Sequence, residues 1–435
     1  MDKERLLRWF IPQKAKPLKQ VASGLYHYQR ESDGTYTRFH LRVEPDGQGM
    51  LLANASAAAR LSPTGVMMAH ELLNGRSPDD VLSDVKKSTK GADSDTIQAD
   101  VSRVAGLLNT LAAPGDNYPI INFDEIRINI FQSQFMAPLE AAIPLAEPEK
   151  LIPILNILWD IGIPHVTFLM PENPNTDHLV LAVERAEDLG LIAGVRGRAT
   201  DLMQETLIHD LAMAGVDHVT VLYAAADGDT HDALVGAGDH ALMADLYQSI
   251  EENEISAVAE IPLVSSTTAT LRPTIDQLLA AGVHNFSFFA ITALDDMTEA
   301  EQAGALAAQA MPQTADWVEE IAESADVRFL WQPPVQRDPR VSLAEQVRQG
   351  PRCAGDAAVR VEPDGSVIPP RGPYQSAGNI LTDEWQAIWK NEAFKRYREQ
   401  VIAPNRCLDC PGLIICEADC PREQSSWAQG VGGVL

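Results

Sequence analysis

From about residue 118 to about 345 the sequence repeats one unit, a strand-like run followed by a helical stretch. No other feature restricts the fold as much. The strand-like runs are Ile126–Ile130, His165–Leu169, Ile192–Val195, His218–Leu222, Ala257–Leu263, Asn285–Ile291 and Val327–Trp331. Helical stretches lie between most of them, at Pro148–Asp160, Asp177–Leu189, Asp239–Asn253 and Thr270–Ala281. Glycines 162, 190, 215 and 282 fall where helix C-caps are expected. Strands separated by crossover helices pair in parallel, so the fold class is α/β. Six or more such units predict a full or partial β/α barrel, whose strand C-terminal ends surround a pocket.

The segment before it, residues 1–113, has a different grammar. Extended runs at Gly24–Arg30, Thr37–Val43 and Met50–Ala53 are followed by three helices. Ser62-Pro63 and Ser77-Pro78 each supply an N-cap and a proline at the first helical position. The third helix, about Asp95 to Leu111, carries Ile97, Val101, Val104, Leu107 and Leu108 at helical spacing. This predicts a small α+β, winged-helix-like domain with a basic N-terminal arm. Ala113-Pro114-Gly115-Asp116-Asn117 reads as the linker to the barrel at 118–345.

The last segment, 346–435, is loop-rich and holds all five cysteines, Cys353, Cys407, Cys410, Cys416 and Cys420. Four of them read C-x2-C-x5-C-x3-C, a spacing at which thiolates converge on one soft metal centre. Val359–Glu362 and Ser366–Ile368, joined by Pro363-Asp364-Gly365, read as a hairpin, and Glu384–Gln400 as a helix. Residues 1–352 contain no cysteine, so no thiolate-held cofactor can be built there.

A formal charge of −27 repels phosphate backbones and argues against nucleic acid as a partner. The sequence has no apolar run long enough to span a membrane, and its N-terminus lacks the apolar stretch of an export signal. These features place the protein in the cytoplasm, where cysteines bind metal more often than they pair. Arg196 and Arg198 follow a strand where the top of the barrel is expected, and with Glu172 and Asp201 they are candidate pocket residues. The arginines either bind a ligand carboxylate or pair with Glu172 or Asp201. His209, His218, His231 and His240 show none of the short spacings of helical zinc sites. Asp227-Gly-Asp229 with His231-Asp232 suits the start of a helix better than a hydrolytic site.

The cysteine run in RCLDCPGLIICEADC, with RCAGDAAVRVEPDGSVIPP and AGNILTDEWQAIWKNEAFKRYRE before it, resembles a SPASM domain. Such domains are the auxiliary cluster-binding extensions of peptide-modifying radical SAM enzymes. The middle segment resembles a six-stranded radical SAM barrel, with GIPHVTFLMPENP in place of that family's Gly-Gly-Glu-Pro loop. FHLRVEPDGQGMLLANASAAARLSPTGVMMAHELLNGRSPDDVLSDV resembles a PqqD-like domain, which captures the leader of a precursor peptide. By that resemblance the third strand, Gly49, Met50, Leu51, Leu52, Ala53 and Asn54, is expected to accept a peptide as an added strand.

The departures from these families are specific. Radical SAM enzymes carry C-x3-C-x2-C after the first barrel strand, and the corresponding stretch here, INIFQSQFMAPLEAAIPLAEPEK, has no cysteine. Gln, Ser and Met do not replace three soft anionic ligands. The glycines of the Gly-Gly-Glu-Pro loop are replaced in Pro171-Glu172-Asn173-Pro174. The SPASM pattern loses one cysteine to Pro370 and lacks its last one beyond Cys420. One centre is therefore expected, a [4Fe–4S] cluster or zinc, on Cys407, Cys410 and Cys416 with Cys420 or Cys353 as fourth ligand. S-adenosylmethionine is not expected as a cofactor, and no catalytic residue is assigned. The leading expectation is a non-catalytic scaffold that binds a precursor peptide and a catalytic radical SAM partner. The alternatives are non-radical chemistry in the barrel, or electron transfer through the C-terminal cluster.

Overall fold

The computed structural model describes residues 20–32, 35–53, 57–88, 93–112, 135–325, 327–332, 334–351, 358–369 and 374–394. The chain divides into two compact units, Met1–Ile128 and Asn129–Leu435.

The first unit is an antiparallel meander of β1 (Gly24–Ser32), β2 (Thr35–Val43), β3 (Gly49–Ala53) and β4 (Ala57–Leu61), in that spatial order. Helices Pro63–Leu73, Pro78–Ser88 and Ser94–Ala112 follow. Ser62 caps the first, its Oγ accepting the Gly65 N–H at 3.1 Å. Phe39, Leu41 and Val43 from β2 and Leu51 and Ala53 from β3 pack with Val101, Val104 and Leu108 of the third helix. Each of the Phe, Leu and Val side chains among these contributes roughly 1.5–3 kcal/mol when fully buried. β4 was not expected: its sequence, AAARL, has weak strand preference, and pairing with β3 overrides it.

The second unit is built on six parallel strands: β5 (Glu140–Pro144), β6 (His165–Leu169), β7 (Ile192–Gly197), β8 (His218–Leu222), β9 (Ser256–Leu263) and β10 (Asn285–Ala293). Each pairs with its sequence neighbour, as a right-handed β/α succession requires. Beyond β10 lie β11 (Leu306–Ala307), β12 (Arg328–Trp331) and β13 (Val335–Gln336), all pairing with it. Next to β5 lies the hairpin of β14 (Ala358–Val361) and β15 (Val367–Ile368), so the hairpin of the third segment continues the barrel sheet.

Helices Pro148–Ile161 and Thr176–Leu189 cover the outer face, and each ends on a left-handed glycine, Gly162 at φ 90° and Gly190 at φ 76°. Their buried stripes, Leu151/Ile154/Leu155/Leu158 and Leu179/Ala182/Val183/Ala186, repeat the helical period. They face the apolar parity of the strands, among them Val166, Phe168, Val195, Val219, Ile261 and Phe288, all fully buried.

Two expectations need correction, and one falls beyond the described residues. The strand proposed at Ile126–Ile130 lies outside the described residues, and the first barrel strand described is β5. That strand falls inside the stretch taken for the cluster loop. The helix proposed at Glu384–Gln400 is a short helix at Trp385–Trp389 followed by a 3-10 turn at Glu392–Phe394; the remainder lies outside the described residues.

Candidate functional site in the barrel lumen

In a β/α barrel, chemistry is carried by the loops after the strands and by side chains on the inner face. The connection after β5 is three residues, Leu145-Ala146-Glu147, before the helix at Pro148. Its one ionisable side chain, Glu147, pairs with Lys150 at 2.9 Å. A thiolate-held iron–sulfur cluster therefore finds no matching donors in this turn. The Pro171–Pro174 turn keeps a left-handed residue without glycine: Asn173 sits at φ 51°, a conformation asparagine tolerates better than most.

The strand register puts Arg196 of β7, Leu222 of β8, Glu260 of β9 and Phe289 of β10 on one face, the parity opposite to the helix-covered one. Arg196 and Glu260 form an ion pair, Nη2 to Oε2 at 2.5 Å, with side chains 12% and 3% exposed. The helix Leu343–Gln349 closes over this end. Its Val347 is fully buried against Leu222, Phe289 and Ile291. The Arg348 carbonyl accepts from Arg196 Nη1 at 3.4 Å. Gly350, at φ 69°, lies so close to the Arg196 guanidinium that any side chain there would collide with it. Gln346 fastens the helix: its Nε2 donates to the Gln336 carbonyl at 2.6 Å, and its Oε1 accepts from Arg337 Nη1 and the Asp338 N–H, both at 3.0 Å. The C-terminal mouth of the lumen is thus stoppered by an apolar side chain and a neutralised charge pair.

The four pocket candidates meet different fates. Arg198 grips Asp201 with two parallel bonds, Nε to Oδ2 at 2.7 Å and Nη2 to Oδ1 at 2.9 Å, and reaches Glu172 at 3.3 Å. Bonding to Asp201 raises the guanidinium pKa further. Arg196 stands apart on Glu260. Both guanidinium groups already carry a carboxylate, which favours the internal-pairing alternative, with Glu260 as the partner of Arg196.

The other end of the lumen holds a group that no motif announced. Glu140 opens β5 and His165 opens β6, paired in register; Thr167 and His218 lie on the next row of the same face. Thr167 Oγ1 donates to Glu140 Oε1 at 2.5 Å, and His165 Nδ1 stands 3.8 Å from Glu140 Oε2. The His165 and His218 rings meet edge to face at 4.9 Å. Gly194 of β7 lies between, and a Cβ there would collide with the His218 ring. Burial pushes the Glu140 carboxyl up to about 7, against the Thr167 bond and His218. Burial lowers His165 to about 4, and burial together with His165 lowers His218 to about 3. The cluster therefore holds two neutral imidazoles and a carboxyl that titrates near neutrality.

His231 and Asp239 pair at 2.9 Å, both fully buried. His231 Nδ1 accepts the Ala224 N–H, and Asp239 Oδ1 accepts from the Thr200 N–H and hydroxyl. Every polar atom is used, so this is a clip behind β8, not a free base. Asp227 caps the helix Gly228–Val235 by accepting the Thr230 N–H, as its sequence suggested.

β3 is hydrogen-bonded along its length to β2 on one edge and β4 on the other. Its backbone at Gly49, Met50, Leu51, Leu52 and Ala53 offers no free groups to an added strand, which corrects that expectation. Asn54 lies outside the described residues, as do Cys353, Cys407, Cys410, Cys416 and Cys420. Among the described residues no three His, Cys, Asp or Glu side chains form a metal site, and no helix is long and apolar enough to cross a membrane.

Residues 353–411 match the family model of the SPASM iron–sulfur cluster-binding domain. No curated protein matches the sequence. The fold is similar to that of SuiB from Streptococcus suis bound to S-adenosylmethionine, at 14% identity over 91% of this chain and 95% of that one, with a TM-score of 0.53. It is similar to SuiB bound to the precursor peptide SuiA at 14% identity over the same shares, 91% and 95%, with a TM-score of 0.52. At that identity the likeness carries the fold: a radical-SAM-like partial β/α barrel, a small antiparallel sheet unit before it and a SPASM segment after it.

Proposed function

We propose that the protein is a non-catalytic relative of the radical SAM/SPASM peptide-modifying enzymes, a cytoplasmic scaffold that binds a peptide and serves a catalytic partner. One observation carries the proposal. The lumen is stoppered at the strand ends by Val347 and the Arg196–Glu260 pair, above a three-residue turn that offers no thiolate. A cluster needs soft anionic ligands and an open iron site beside its substrate, and among the described residues this end of the barrel supplies neither. The SPASM match supports a metal centre in the C-terminal segment, where five thiols suffice for one [4Fe–4S] or zinc site and fall short of two clusters. Peptide binding is supported by the fold shared with SuiB, whose structure with SuiA holds a precursor peptide. Because β3 is enclosed, the edge strand beside it among the described residues is β4.

The test is anaerobic purification and reconstitution, followed by reductant and S-adenosylmethionine. No 5′-deoxyadenosine is expected, whereas turnover would overturn the reading. Iron, zinc and sulfide analysis of the same sample identifies the centre. Replacing Cys410 by Ser is expected to lower metal content and melting temperature together. Unchanged values would remove the metal site from the proposal.

A further inference from the structure

We propose that the Glu140 end of the barrel lumen is a binding site for a small organic cation, an alkylammonium group held by Glu140, His165 and His218. The argument begins with charge. In the lumen Arg196 and Glu260 cancel each other. Glu140 has no lysine or arginine partner among the described residues; its neighbours are a hydroxyl and two imidazoles. On the adjoining strand β14, the Arg360 guanidinium is bound to Glu362 at 2.6 Å. A carboxylate desolvated without a counter-charge is costly, and such groups concentrate at functional sites.

The geometry points the same way. Gly194 lets the His218 ring lie against β7, beside Thr167, where any side chain would displace it. His165 Nε2 is buried with no hydrogen-bond partner, a further group awaiting one. Glu140 and His165 keep 15% and 20% of their side chains exposed, which leaves an approach from solvent. Neutral imidazoles offer lone pairs, and they lie beside the carboxylate as further acceptors. An ammonium group brings three donors and the missing positive charge. A net charge of −27 raises the local concentration of cations at such a cleft. The His165 Nδ1 to Glu140 Oε2 separation of 3.8 Å leaves the donors more open than a metal ion would draw them.

The experiment uses the full chain labelled with 15N-histidine at neutral pH, titrated with methylammonium chloride against sodium chloride at matched ionic strength. Saturable shifts of the His165 and His218 ring signals are expected, with His231, whose ring nitrogens are both engaged, unmoved. Glu140→Gln should weaken methylammonium at least about tenfold, and His218→Gln should weaken it less. No saturable response in the wild-type chain overturns the proposal, whatever the variants do. An undiminished response in a folded Glu140→Gln chain overturns it too. A parallel titration with zinc chloride that shifts the same rings where methylammonium does not reassigns the site to a metal and also overturns it.

Discussion

The two ends of the barrel lumen are made of similar polar residues and treat them in opposite ways. At the strand C-terminal ends, Glu260 meets Arg196, Val347 seals the gap, and Gln346 holds the seal in place. At the strand N-terminal ends, Glu140 is left with a threonine and two imidazoles. Burial alone does not distinguish them; the presence of an opposite charge does. The first end is organised for stability. The second retains an uncompensated group, which stability alone would have removed.

The comparison breaks first at the ion pair. Glu260→Ala leaves the Arg196 guanidinium buried and unpaired, and is expected to cost about 3–5 kcal/mol in urea unfolding. The double change Arg196→Met with Glu260→Leu should recover most of that loss, since apolar residues of similar volume replace buried pairs well. A double variant as unstable as the single one would show that the pair does more than neutralise. Next comes the stopper. Gln346→Ala strands the Asp338 N–H and takes the donor from the Gln336 carbonyl, while Arg337 Nη1 keeps the carbonyls of Asp338 and Val341, and should cost about 1–3 kcal/mol. Faster amide exchange across residues 343–350 would accompany it, and unchanged protection there would refute its fastening role.

The third effect has a sign set by pH. Glu140 ordinarily loses its proton near 4.5, but in the folded chain keeps it to about 7. The folded state binds the extra proton between those values, so this group's contribution to stability falls as pH rises through that window. Glu140→Gln should therefore stabilise the chain by about 2 kcal/mol above pH 7 and by little near pH 4.5. His165 and His218 act oppositely: their values are lowered from 6.5 to about 4 and about 3, so their contribution is lost as pH falls below 6.5. Denaturation midpoints across this range check both signs, and a stabilisation that is independent of pH would contradict the Glu140 assignment. The smallest effect belongs to Glu172, whose side chain is 67% exposed. Glu172→Ala should change stability by less than about 0.5 kcal/mol, and a larger loss would make the Arg198 network part of the stopper.

The alternation of strands and helices was legible because burial leaves a period in the sequence. The strands at His165–Leu169 and His218–Leu222 fall where their β-branched runs place them, and the helix ends where the glycines do. β5, with sequence EAAIP, was hidden because its three central residues are buried whichever face they point to, so a short strand shows no alternation. Arg196 and Arg198 could be singled out as strand-end cations, and Asp201 and Glu172 as partners for Arg198, but Glu260 could not, since it lies 64 residues beyond Arg196. The Glu140 cluster was illegible for the same reason. Its members come from three strands, and only the sheet register brings them together.

The indole N–H groups of Trp385 and Trp389 donate to the carbonyls of Met136 and Phe135, partners 249 and 254 positions earlier in the chain. β14 pairs with β5 over a comparable distance along the chain. As the protein emerges from the ribosome, the first barrel strand therefore waits for nearly the whole chain to be made before its outer edge is satisfied. A nascent chain arrested before Ala358 exposes that edge, which makes the late arrival of the C-terminal segment a timer on completion of the barrel.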